Sequence, residues 1–258
     1  MRPNRHVVRW TRAGTAVPDF PALLAQYPAS EFASPRRSTV PLLGYWRSGA
    51  VPLAEFSAAI GVPAARSAEL HFEFEVPVQA GSGKPSCTDL MVLTESAVVA
   101  IEAKSTEPRY AEVATWLGTP AAANRSDVLR GWLGLLQRCC GRRITIDDVG
   151  HLPYQLVHRA ASACYPAGPR RWLVYQLFEV PALEQTSYLQ DLRALADLLG
   201  PTRDISIALV ACDLQASAAY AELESEWVRG SRDVSGAVVA GLLAGNLIAP
   251  QIQSVTAV

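Results

Sequence analysis

The chain has 258 residues, half of them hydrophobic and 18% charged, with a formal net charge of −1. This composition suits a folded α/β domain with a full core and excludes a disordered chain. It also excludes a protein that holds nucleic acid by overall positive charge, so any phosphate binding must use a local patch. The five cysteines (Cys87, Cys139, Cys140, Cys164 and Cys212) are odd in number and include no C-x-x-C pair. They predict reduced thiols rather than a disulfide framework or a zinc site. The first thirty residues carry Arg2, Arg5, Arg9 and Arg12 and no long apolar run, so no secretory signal is expected. Residues 236–250 are the most apolar stretch. They are too short to span a bilayer and read as a buried C-terminal helix. A cytoplasmic protein without membrane contact is the expectation.

Residues 1–50 are rich in Pro, Arg and Ser, and Pro18, Pro21, Pro28, Pro35 and Pro41 interrupt any long element. They are expected to form an N-terminal arm with short helices packed on the core, which occupies residues 51–258. A helix is predicted over 53–60, ending near Gly61. Residues 69–78 then alternate with period two. Leu70, Phe72, Phe74 and Val76 face one way, and Glu69, His71, Glu73 and Glu75 the other. After a loop at 79–85, strands are predicted at 90–93 and 98–104, joined by Thr94-Glu95-Ser96-Ala97. One helix lies between Pro108 and Gly118. A second is capped by Ser126, with Val128, Leu129, Trp132, Leu133, Leu135 and Leu136 on its apolar face, and a third covers 152–165. A strand at 172–178, a helix at 188–199, a strand at 205–211 and two C-terminal helices follow. This order predicts an α/β fold with a mixed central sheet flanked by helices.

The informative stretch runs from Pro85 to Lys104. A four-residue loop at 94–97 pairs Leu93 with Val98 and therefore sets Asp89 opposite Glu102. Facing strand residues lie only ~5 Å apart, where like charges repel. Two acids tolerated there usually share a cation. Period two puts Lys104 on the face of Glu102. The apolar run Val98–Ile101 makes this an interior strand, so the charged pair emerges at the rim of a core. Mg²⁺ or Mn²⁺ suits such a pair, because hard cations take oxygen ligands and Mg²⁺ uses one or two carboxylates plus substrate phosphate. Lys104 would orient or deprotonate a water, or stabilise developing negative charge. The bland alternative makes Asp89 a turn cap and Glu102 and Lys104 a solvent-facing strand edge.

These residues resemble the PD-(D/E)xK nuclease superfamily, whose signature is an acid opening the second core strand and an acid-x-Lys on the third. Asp89 corresponds to the first and Glu102-Ala103-Lys104 to the second, while Thr88 stands where the signature has proline. The resemblance spans roughly residues 50–180. It implies a restriction-endonuclease-like αβββαβ core and a Mg²⁺-dependent endonuclease of restriction or defence type. DNA is the expected partner and RNA the alternative. A homodimer would suit double-strand cutting. The competing reading is a nuclease fold kept as an inactive nucleic-acid-binding or scaffold protein.

Further candidates surround this pair. Glu75 is the preferred extra metal ligand, with Glu55, Glu69 and Glu73 as competitors, and each is otherwise a solvated acid. Gln155 and Arg159 lie one helical turn apart and could hold a phosphate or orient a water, or serve a structural hydrogen bond. Gln155 is also weakly similar to a glutamine motif that some superfamily members carry near their metals. His71 and His158 read as structural. Arginines cluster at Arg138, Arg142 and Arg143, at Arg170 and Arg171, and along the arm. Gly81-Ser82-Gly83-Lys84 lacks the earlier glycine and the following Ser or Thr of a phosphate loop.

Overall fold

The structure, a computed structural model, describes residues 7–168, 170–230 and 233–258. The chain opens with two short strands, β1 (Val7–Arg12) and β2 (Thr15–Val17), followed by helices α1 (Phe20–Ala25), α2 (Thr39–Trp46) and α3 (Ala50–Ile60). An antiparallel meander comes next: β3 (Ser67–Val76), β4 (Ser86–Thr94) and β5 (Val98–Lys104). Helices α4 (Val113–Leu117), α5 (Ala123–Cys140) and α6 (Tyr154–Ala163) then cross over to β6 (Arg171–Phe178). The remainder is α7 (Ala182–Leu199), β7 (Ile205–Ala216), α8 (Ala218–Arg229), α9 (Ser235–Ala244) and β8 (Ile248–Ala257).

All eight strands form one mixed sheet, in the order β2-β1-β3-β4-β5-β6-β7-β8. Strands β1 and β3, β5 and β6, and β6 and β7 pair in parallel; the other neighbours are antiparallel. Helices cover both faces, as the predicted α/β class requires. One layer is packed by Leu23, Leu43, Trp46, Phe56 and Leu242 from α1, α2, α3 and α9. The other is packed by Val113, Leu129, Trp132, Leu156 and Leu192 from α4, α5, α6 and α7. Apolar runs such as Leu-Val-Tyr in β6 are buried on both sides, which is why they lack alternation.

Four expectations are corrected. Residues 7–17 add two strands to the sheet, and α1 and α2 fill its core, so the described part of residues 1–50 is integral rather than a wrapped arm. Residues 1–6, with Arg2 and Arg5, lie outside the described residues. The stretch 236–250 does not form one helix. α9 stops at Gly245 in a left-handed conformation (φ 68°), and β8 then pairs antiparallel with β7. Cys139 and Cys164 are joined by a disulfide rather than reduced, because α5 and α6 pack with these positions 6.2 Å apart at Cα. Cys87, Cys140 and Cys212 are free.

The fourth correction concerns β3. Its side chains do not keep one phase: Leu70 and Phe72 join the layer of α1–α3, whereas Val76 joins the layer of α5 and α6. The swap occurs at Glu73, a non-glycine residue with φ 52°. Phe72 pairs with Leu90 and Phe74 with Thr88, so the register continues across the kink while the facing direction changes.

Candidate active site

The interior strand β5 runs between β4 and β6 and carries its apolar residues into both layers. Its pairing with β4 runs from Leu93 with Val98 to Leu90 with Ile101, the register that the short loop demands. There the ladder stops. Asp89 Oδ2 instead accepts the backbone N–H of Ala103 at 2.7 Å, so a carboxylate takes up the donor that a backbone carbonyl would otherwise hold. This bond anchors Asp89 beside Glu102, on the floor of a cleft of about 700 Å³.

Glu102 and Lys104 follow Val98 and Ala100 on the face that packs against α6. They are only 1% and 5% exposed. Such burial is tolerated because each of these charges has an opposite charge in contact with it. Lys104 Nζ donates to Glu102 Oε1 at 2.9 Å, and Arg159 Nε, from α6, donates to Glu102 Oε2. Arg159 Nη1 also donates to Ser86 Oγ at 2.9 Å. Ser86 Oγ is hydrogen-bonded to His158 Nδ1 at 2.8 Å and to Ser162 Oγ at 3.1 Å. Tyr154 and Trp132 pack around His158.

The electrostatics separate the two acids. Burial pushes Glu102 toward protonation, but Arg159 and Lys104 outweigh it and hold the carboxyl below its ordinary range. For Asp89, burial and the neighbouring Glu102 charge raise the pKa well above the usual value, and the same two cations offset this only in part. Burial opposes charge on Lys104, yet Glu102 and Asp89 outweigh it and raise its pKa, so the ammonium keeps its protons at neutral pH. Burial holds His158 well below its ordinary pKa, with Arg159 adding to the effect, so the imidazole is neutral and structural.

Of the predicted site residues, Asp89, Glu102, Lys104 and Gln155 all line this one cleft, together with Arg159. Glu75 does not. It is exposed, and the left-handed turn at Glu73 directs Glu73 into the cleft instead. Glu69 is engaged with Arg9 and His71, and Glu55 lines a different pocket beside Tyr45. Arg138, Arg142, Arg143, Arg170 and Arg171 are not among the cleft-lining residues, and Arg171 pairs with Val98 at the opposite end of β5 from Glu102. Among the described residues of the first fifty, the arginines that reach the cleft are Arg12 and Arg37. Arg12 stacks over Tyr27 at 4.1 Å, and its Nε has no hydrogen-bond partner.

Among the described residues, no group of three or more His, Cys, Asp or Glu side chains is placed to hold a metal ion. The donor set fits a less demanding ligand. Asp89 and Glu102 offer hard oxygens at the end of one hairpin, and Asp89 has an incompletely compensated charge. Mg²⁺ needs only one or two protein carboxylates and keeps water in its remaining positions.

No helix among the described residues is long and apolar enough to cross a membrane. Neither curated proteins nor solved structures provide a match to the chain. The family described as "Domain of unknown function (DUF6946)" matches residues 16–228, a span that includes β3, β4, β5, α6 and most of the first fifty residues. The chain therefore belongs to the DUF6946 family.

Proposed function

We propose that this protein is a Mg²⁺-dependent nuclease that hydrolyses phosphodiester bonds of DNA, built on a PD-(D/E)xK-like core. The observation that carries this reading is the meeting of Asp89, Glu102 and Lys104 on adjacent strands in one cleft. The element order also supports it: α3, then β3, β4 and β5, then helices, then β6 parallel to β5. A restriction- or defence-type endonuclease is the form of the activity we favour.

Asp89 and Glu102 would hold the ion, and Gln155 lies within the same cleft to position substrate or water. A divalent ion, when bound, polarises the phosphodiester and neutralises charge developing on it. Lys104 has three candidate roles from its position alone. Its raised pKa favours the electrostatic ones, because a protonated Nζ donates hydrogen bonds and stabilises negative charge but accepts no proton. Arg12 lines the same cleft and is suited to a substrate phosphate through its guanidinium charge.

A second reading, an inactive nuclease-like scaffold, draws on one observation: both Glu102 oxygens are occupied by cations of the protein itself. Single-turnover cleavage of plasmid and single-stranded DNA with saturating Mg²⁺ separates the two. The wild type should cut. Lys104→Ala should slow cleavage on the order of a hundredfold or more while Mn²⁺ and DNA still bind. Lys104→Arg should not restore it, since the guanidinium has a different shape. No cleavage by the wild type under any divalent ion favours the scaffold, and near-wild-type rates in Lys104→Ala remove Lys104 from the mechanism.

A further inference from the structure

Resting on that reading, we infer that Arg159 is the site's internal counter-ion, which a divalent cation must displace from Glu102 before the site becomes competent. The geometry is specific. Glu102 has two oxygens: Lys104 Nζ holds Oε1, and Arg159 Nε holds Oε2. Each oxygen keeps a further lone pair, but a metal ion arriving there meets two cations already in contact with Glu102, and this repulsion falls when one of the contacts yields.

Arg159 is the partner built to yield. It reaches in from α6 across 57 residues of sequence, whereas Lys104 shares the strand of Glu102. Its guanidinium already has a second anchor, Ser86 Oγ, which Nη1 reaches at 2.9 Å. Ser86 is in turn fixed by His158 and Ser162. Arg159 can therefore release Glu102 and keep a hydrogen bond, while its charge would be met by the substrate phosphate in the same cleft. Lys104 has no such second contact among its hydrogen bonds. Arg159 bonds Glu102 in the cleft that Asp89 also lines. It thus performs for the two acids together the service that a shared divalent ion would perform. Once released, its Nε–H faces a cleft that would contain the substrate phosphate, and the same side chain that guards the empty site becomes a positioning residue for the loaded one.

The competition reverses the usual sign of an active-site substitution. Arg159→Gln, which removes the charge and keeps a hydrogen-bonding side chain, should bind Mn²⁺ about tenfold more tightly than the wild type, or better, by calorimetry. Arg159→Lys retains the charge and should stay near the wild-type affinity. Asp89→Asn serves as the control for the underlying reading and should abolish binding in every background. In the wild type, the Arg159 Nε–H resonance, assigned by its loss in Arg159→Lys, should move upfield on adding diamagnetic Mg²⁺ as the carboxylate contact is released. A purely structural arginine would show no such shift, and this measurement does not depend on the Gln variant folding. Asp89-dependent Mn²⁺ binding with unchanged affinity in folded Arg159→Gln, or an unmoved resonance at saturating Mg²⁺, overturns the counter-ion proposal alone. Absence of Asp89-dependent binding in all proteins overturns the metal-site reading and this proposal with it.

Discussion

The two layers on either side of the sheet solve the problem of buried polarity differently. On the face of α1–α3, a polar feature in the apolar packing is a neutral pair: Trp46 Nε1 donates to Gln176 Oε1 at 3.2 Å, and Gln176 Nε2 reaches Cys212 Sγ. On the face of α5 and α6, one carboxylate, one ammonium and one guanidinium are enclosed together with Ser86 and Ser162. A neutral pair costs little to bury and holds one geometry. A charged cluster costs far more to bury, and replacing it with apolar groups of similar volume is often neutral or stabilising. The expensive solution lies where the cleft opens, which is the expected pattern when a site rather than stability sets the residues.

Three substitutions would break or sharpen this contrast. The largest effect is expected for Glu102→Gln, which leaves Lys104 and Arg159 buried against an amide. Urea unfolding should show a loss of about 3–5 kcal/mol. A loss below the range typical of surface changes would mean that water reaches the cluster. A middle effect is expected on the other face. Gln176→Leu leaves the Trp46 indole N–H buried without an acceptor and should cost about 1–3 kcal/mol, and the loss in the Trp46→Phe, Gln176→Leu double variant should fall short of the sum of the two single losses. Additive losses in that double variant would show that packing, not the hydrogen bond, carries the pair.

The smallest effect has the opposite sign. Asp89→Asn keeps an oxygen for the Ala103 N–H and removes the repulsion with Glu102. Without divalent ions it should stabilise the fold by roughly 0.2–1 kcal/mol at neutral pH, the scale of opposed like charges on paired strands. The pH dependence follows from the raised pKa of Asp89. The folded state binds this proton more tightly than the unfolded state, so the wild type loses stability as pH rises from the ordinary carboxylate range through the raised pKa. Below the ordinary range both states are protonated, and the gap between variant and wild type should close. Melting curves across that interval in chelator test it; a gap that widens toward acid would reverse the assignment.

How much of this was legible in the residues depended on the range of the interaction. The β4–β5 register followed from a short loop and a period of two, both local properties, and it brought Asp89, Glu102 and Lys104 to one end of a hairpin. Alternation sets Glu73 and Glu75 on one face and carries no sign of the left-handed residue at Glu73 that separates them. Arg159 was noticed as a neighbour of Gln155, but its ion pair joins distant segments. An arginine set between Val157, Ala160 and Ala161 on a buried helix face was the available signal. β1 is hidden because Arg9 and Arg12 interrupt any apolar run. The start of β8 reads as helix because an apolar stretch without clear alternation has no period to distinguish strand from helix.

The connectivity of the charged cluster also has a kinetic side. Asp89 and the Ala103 N–H are 14 residues apart and close through one hairpin, whereas Glu102 and Arg159 are 57 apart and meet only after α4, α5 and α6 have formed. Loop closure favours the nearer contact, and chain synthesis delivers it first. The growing chain therefore presents the open end of a hairpin with two acids and a single ammonium, and its last neutralising group arrives on a helix that must dock against a sheet already begun. Completion of the sheet's centre is thereby tied to arrival of α6, which makes the crossover between β5 and β6 the step at which an immature chain either commits to this fold or leaves its most strongly charged strand end open to water.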